Sequence, residues 1–253
     1  MATPKVLIAM ADYGHDPTET AVPYAAFKKA GLEVQFATEN GKAPECDKKM
    51  LEGLTQKLLG ATSKAVELYK SMAATPEFRS PVSWTSSTFS LAPYNVVFFP
   101  GGHEKSVRQI IDSDVMHHHL REYFPQTKKP SDKVVAAICH GVMVVSETLV
   151  EEGGKSVLAG CNTAALPARM EQVAFWGTRA FLGDYYKTYG AGSENVEDAV
   201  RRRLNDPKQF KNSLGMSPFV VQDENYNYLS ARFPPDAQLL ADKTIELVMA
   251  SMA

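Results

Sequence analysis

Apolar residues in this chain fall in short continuous runs separated by stretches of helical period, the pattern of buried parallel strands alternating with covering helices. Residues 5–10 form the first run. The Asp12-Tyr13-Gly14-His15 loop follows, then a marked helix start. Asp16 suits the N-cap, Pro17 the first helical position, and Glu19 stands where a capping box puts its acid. That helix runs to about Ala30, Gly31 takes the position beyond its end, and residues 32–37 read as the second strand. Strand, helix and strand so close together make a βαβ unit, which predicts a parallel sheet.

The alternation then breaks. Residues 47–72 are helix-like, with apolar positions at Met50, Leu51, Leu54, Leu58, Leu59, Ala61, Val66 and Leu68. Pro44 precedes them, and Pro76 and Pro81 follow. Too small for a core of its own, the 44–81 segment reads as a helical insertion or partial lid. Alternation resumes with a strand at 95–99, which ends on Pro100-Gly101-Gly102, a loop where backbone can approach a ligand closely. A helix at 110–123, a polar loop at 126–132 and a strand at 134–138 come next. A helix at 141–151, stopped by Gly153-Gly154, leads to a weaker strand at 156–159. Helical patterns at 165–182 and 196–204 make 165–205 a helical cap region. Strands at 219–222 and 228–231 and a helix at 236–250 complete the chain. The expectation is a single α/β domain spanning 1–253, a doubly wound three-layer sandwich with a mostly parallel sheet. Ligands of such sheets bind beyond the carboxyl ends of the strands.

Composition narrows the function classes. With 253 residues, 44% hydrophobic and 22% charged, the chain is of ordinary globular make-up and needs no staples. Its 27 Lys and Arg against 29 Asp and Glu argue against a nucleic-acid partner. The longest apolar run, 134–145, is too short to cross a bilayer, and no signal-peptide core opens the sequence, so a cytoplasmic protein is expected. Three cysteines, Cys46, Cys139 and Cys161, without a C-x-x-C pair fit a reducing compartment. The odd count leaves at least one thiol for chemistry.

Cys139-His140-Gly141 sits between a buried strand and a helix, the arrangement of a nucleophile elbow with Cys in place of Ser. The helix N-terminus would favour the thiolate, the reactive form. The His140 backbone N–H, with a second donor from Gly101 or Gly102, would face an oxyanion. The competing reading makes Cys139 a small buried hydrophobe, as most free cysteines are. Cys46 and Cys161 lack such a context and read as structural.

The residues Ala136-Ala137-Ile138-Cys139-His140-Gly141, Phe98-Phe99-Pro100-Gly101-Gly102-His103 and Glu19-Thr20-Ala21-Val22-Pro23 resemble, in order, motifs of the ThiJ/PfpI superfamily. That resemblance implies the flavodoxin-like sandwich shared with class I glutamine amidotransferases. The 44–81 insertion and the adjacent Cys-His pair look like the glyoxalase III and stress-chaperone subgroup. It implies Cys139 as nucleophile in a strained elbow, Glu19 as a largely protonated acid against the sulfur, and His140 as a proton-transfer partner. His103 would line the pocket. For Glu19 the capping box remains the alternative, and for His140 simple filling of the helix N-terminus. Some relatives add an acid that orients the histidine, but residues 159–163 carry none. Glu171 is the nearest downstream carboxylate and a weak candidate, so a complete Cys-His-acid triad, and with it a peptidase, is disfavoured. Glu104-Lys105 departs from the glycine that usually follows the His103 position.

Other features carry less. His117-His118-His119 reads as a solvated helix face, because ligands on a helix usually sit at i and i+4. Arg201-Arg202-Arg203 follows acids at pairing distance along a helix. Tyr185, Tyr186, Tyr189, Trp176 and Phe181 form either an aromatic wall over the site or ordinary core. The resemblance implies a cysteine-dependent enzyme acting on small carbonyl compounds, most concretely a glutathione-independent glyoxalase turning methylglyoxal into lactate. An isonitrile-hydratase-like or biosynthetic enzyme using the same Cys139, and a stress chaperone or redox sensor without turnover, are the alternatives. No cofactor and no metal is expected, and pairing into a homodimer is.

Overall fold

In the computed structural model, which describes residues 3–53, 56 and 60–252, nine strands form two sheets. They are β1 (Lys5–Ala9), β2 (Tyr13–His15), β3 (Glu33–Thr38), β4 (Glu45–Cys46), β5 (Val82–Ser83), β6 (Val96–Phe99), β7 (Val134–Ile138), β8 (Val220–Gln222) and β9 (Tyr228–Ala231). The main sheet has the order β5-β3-β1-β6-β7-β9-β8 and is parallel except for the β8–β9 pair. Alternate residues feed two cores. Leu7, Ala9, Val97, Phe99, Val135 and Ala137 face one side, under the Asp114–Tyr123, Gly141–Ser146 and Val196–Arg201 helices. Val6, Ile8, Val96, Phe98, Val134 and Ala136 face the other, under Pro17–Lys29, Ser63–Ala73 and Ala237–Ser251. Both faces are covered, which is why these strands read as unbroken apolar runs. The fold is an α/β three-layer sandwich of the flavodoxin-like kind.

The helix after β1 begins as its residues dictate. Asp16 accepts from the N–H groups of Thr18 at 2.7 Å and Glu19 at 3.0 Å, and Pro17 opens the first turn. Only half of the capping box forms, because the Glu19 carboxylate turns away to the Gly101 N–H.

Several expected boundaries shift. The 47–72 helix divides into Lys48–Leu51, capped by Asp47, and Ser63–Ala73, capped by Thr62. Glu52, in extended conformation, ends the first run, and the Ala61 N–H returns to the Met50 carbonyl. Leu54, Leu58 and Leu59 lie outside the described residues. The 110–123 helix is broken into Arg108–Ile111 and Asp114–Tyr123, since Ser113 leaves the first to cap the second. The helix expected at 141–151 ends at Ser146. No strand forms at 156–159: the N–H groups of Ala159 and Cys161 fold back as turns onto the carbonyls of Ser156 and Leu158. The loop expected at 12–15 instead contributes β2, which pairs with β4 and anchors the insertion beside the strand ends. Among the described residues, no helix is long and apolar enough to cross a membrane.

Candidate active site

The carboxyl ends of β1, β6 and β7 meet at one point. Between β7 and the Gly141–Ser146 helix stands Cys139 at φ 58°, the one non-glycine residue with positive φ among those described. That conformation costs an L-residue about 1–2 kcal/mol. It lifts the side chain off the sheet while the Cys139 N–H still completes the ladder to the Ala231 carbonyl at 3.0 Å. Glycine is required across from it. A Cβ on Gly101 would stand 2.6 Å from Glu19 Oε2, 2.7 Å from Cys139 Cβ and 2.8 Å from the His140 nitrogen. One on Gly141 would stand 2.2 Å from the Phe99 carbonyl oxygen.

Glu19 is 1% exposed, accepts from the Gly101 N–H at 3.0 Å and interacts with the Cys139 thiol. Burial, reinforced by Asp16, pushes its carboxyl well above the usual range, which favours the protonated form. Burial also pushes the Cys139 thiol well up, outweighing the His140 backbone N–H that favours the thiolate. This runs against the expectation from the helix N-terminus and favours the thiol over the thiolate.

A receiver for the thiol proton is at hand. His140 Nδ1 lies 3.4 Å from Cys139 Sγ. Burial, with help from His103 and Lys187, drives the His140 ring down to about 3, so it is neutral. Its Nε2 is 2.9 Å from Thr188 Oγ1, and that hydroxyl donates to the His103 carbonyl at 2.9 Å. A threonine has one proton to give, so the proton between Nε2 and Thr188 belongs to the histidine. The lone pair is therefore on Nδ1, facing the sulfur.

Thr188 thus does what an orienting acid was expected to do. Glu171 does not: its carboxylate accepts from Lys187 Nζ and from the Val196 N–H, each at 2.9 Å. It lines the same pocket yet serves to tie the cap region together. Gly101, expected as an oxyanion donor, has its N–H taken by Glu19. Gly102 and His103 line the pocket, with the His103 ring stacked on Tyr186 and edge-on to Tyr185. Burial drives His103 down to about 3, so it too is neutral.

The pocket over Cys139 holds about 180 Å³. Met50 enters it from the insertion, Leu166, Met170 and Ala174 from the cap region, and Phe233 and Pro234 from beyond β9. Tyr185 donates to Asp47, joining cap and insertion. Of the other expected wall residues, Trp176 and Phe181 face solvent, and Tyr189 lines a separate cavity of about 370 Å³ with His117, Glu147 and Arg202. The three histidines diverge. His117 bonds the Ile111 carbonyl at 2.8 Å and His119 the Trp84 carbonyl at 3.2 Å, both half-buried, and only His118 is exposed. The arginine run pairs with Glu147, Glu194 and Glu197. Cys46 and Cys161 are buried free thiols, each pushed up to about 12 by burial.

A family model described as ThiJ/PfpI family-like matches residues 10–224, most of the chain. The protein belongs to the ThiJ/PfpI family. Relatives of this ThiJ/PfpI chain include an uncharacterized Schizosaccharomyces pombe protein, 27% identical over 251 residues, with 99% of this chain and 86% of that one covered. Solved structures share the fold. A rapid encystment protein of Francisella tularensis gives a TM-score of 0.67 at 14% identity, covering 97% of this chain and 99% of that one. Glyoxalase III of Candida albicans gives 0.64 at 17% identity, covering 96% and 97%. Within the ThiJ/PfpI frame the Cys139 elbow and the Glu19 turn follow β7 and β1, the two strands that flank β6.

Proposed function

We propose that this ThiJ/PfpI protein is a cofactor-independent enzyme that converts small α-oxoaldehydes into 2-hydroxy acids, using Cys139 as a covalent nucleophile and no glutathione. The observation that carries the reading is the placing of one sulfur between the buried Glu19 carboxyl, which burial biases toward its protonated form, and an imidazole whose lone pair faces it. The likeness to a glyoxalase III fold points the same way.

The steps balance within these residues. As Cys139 Sγ bonds to the aldehyde carbon, its proton passes to His140 Nδ1 and on to the new alkoxide, giving a hemithioacetal. Neutral again, His140 takes the hydrogen from that carbon as a proton and returns it to the neighbouring one, while the Glu19 acid gives its proton to the ketone oxygen and takes the one on the former aldehyde oxygen. The product is a thioester of a 2-hydroxy acid, which water hydrolyses to free the thiol. In sum, one α-oxoaldehyde and one water give one 2-hydroxy acid. With methylglyoxal as probe and no glutathione present, wild-type protein should release lactate and Cys139→Ala should not. Equal lactate from both would overturn the reading.

A second reading, a chaperone without turnover, is favoured by Val173, Trp176 and Phe181, which stand 57–65% exposed on the cap helix. Suppression of client aggregation by wild type and Cys139→Ala alike, with no lactate from either, would establish it instead.

A further inference from the structure

The reaction assigned above needs only an aldehyde beside a ketone, and the smallest substrate of that kind ends in one methyl group. The pocket is larger than that group needs and of definite chemistry. Beyond the sulfur its lining is apolar at Met50, Leu166, Met170, Ala174, Phe233 and Pro234 and polar at Asp16, Glu19, His103, Glu171 and Tyr186, and its surface is mostly apolar. An apolar cavity of roughly 150 Å³ is enough to hold a benzene ring, and this pocket measures about 180 Å³.

Charge narrows the occupant further. Among the described residues, no Lys or Arg lines the pocket. Its ionisable acids are already engaged: Asp16 by two backbone N–H groups, Glu19 by the Gly101 N–H, and Glu171 by Lys187 and Val196. An anionic arm would meet carboxyl groups and no cation, and a cationic arm would find no free carboxylate. Two polar groups of lining residues are uncommitted, His103 Nε2 and Tyr186 Oη. Tyr186 Oη is buried without a partner, a donor for a neutral ketone oxygen.

We infer that the substrate of this site carries an uncharged apolar arm of about four to six carbons, branched alkyl or aryl, next to its dicarbonyl head, and that methylglyoxal is a poor fit. The inference rests on the proposed Cys139 chemistry for the head group, and on the pocket walls alone for the arm. Each further buried carbon is worth about fourfold in binding, so several carbons make the preference easy to read.

The test compares methylglyoxal with isobutylglyoxal, phenylglyoxal and para-carboxyphenylglyoxal on wild-type protein. Isobutylglyoxal has the same alkyl-substituted carbonyl as methylglyoxal and differs only in the arm. Expected is a kcat/KM at least tenfold higher for isobutylglyoxal and phenylglyoxal than for methylglyoxal, with the carboxylated ring at least tenfold below phenylglyoxal. Ala174→Phe, which fills the arm space, should lower the isobutylglyoxal to methylglyoxal ratio at least fivefold. Equal or better use of methylglyoxal overturns the inference and leaves the glyoxalase reading standing. If no aldehyde is turned over, that reading falls, and the arm is read from adduct formation: the concentration of each aldehyde that protects Cys139 from iodoacetamide, followed by mass spectrometry of its peptide. Protection by isobutylglyoxal at least tenfold below methylglyoxal still supports the inference, and equal protection overturns it.

Discussion

His140 Nε2 and Thr188 Oγ1 stand 2.9 Å apart, and because the Thr188 hydroxyl is committed to the His103 carbonyl, the imidazole is held with its lone pair toward Cys139. A neutral hydroxyl orients the ring without stabilising an imidazolium, in keeping with a histidine that relays a proton and keeps none. Thr188→Val removes the acceptor and frees the other tautomer. We expect kcat to fall on the order of 10²-fold, the range of a positioned acid–base group, with KM little changed. Thr188→Ser should restore most of the rate, and steady-state kinetics of the three proteins check this.

Asp16 links the helix start to the site's pH behaviour. Burial raises its carboxyl from 3.8 to about 6, against the pull of two N–H groups. The folded group thus holds its proton after the unfolded one has lost it. Stability from this residue is therefore present below pH 3.8 and declines between pH 3.8 and about 6. Two units amount to about 3 kcal/mol. Asp16→Asn keeps an N-cap acceptor and should flatten that decline, measured as urea unfolding free energy against pH.

Gly101 has no room for a side chain. Gly101→Ala would press a methyl group among Glu19, Cys139 and His140, each within 2.6–2.8 Å of the added carbon. A loss of about 1–3 kcal/mol is expected from the overpacking, together with loss of turnover. Thermal unfolding and lactate release measure the two effects separately.

The Lys187–Glu171 pair is buried, with Lys187 next in sequence to Thr188. Glu171→Gln leaves an unpaired ammonium inside the cap and should destabilise by about 3–5 kcal/mol. Lys187→Met together with Glu171→Gln should recover most of it, and denaturant titration of the single and double variants decides.

Much of this site could be read one residue at a time. Strands β1, β6 and β7 are continuous apolar runs because both their faces are buried, and Cys139-His140-Gly141 announces its own turn. Glu19 was ambiguous for a physical reason: the same N3 position that closes a capping box also faces the strand ends, and the Gly101 N–H wins its carboxylate. Thr188 carried no signal at all. It reaches His140 across 48 residues of chain, from a segment whose tyrosines suggested packing. The 156–159 run has strand-like residues but turns back on itself, the N–H groups of Ala159 and Cys161 bonding carbonyls three residues earlier.

The hydroxyl of Tyr185 and the carboxylate of Asp47 touch across 138 positions of sequence. That clasp, with the Lys49 ammonium over the Tyr185 ring, joins the two halves of the roof, and Asp47 is also the residue that starts the Lys48–Leu51 helix bearing Met50. One carboxylate therefore serves two ends, and Asp47→Ala would withdraw at once a tie between cap and insertion and the N-cap of the helix that carries Met50.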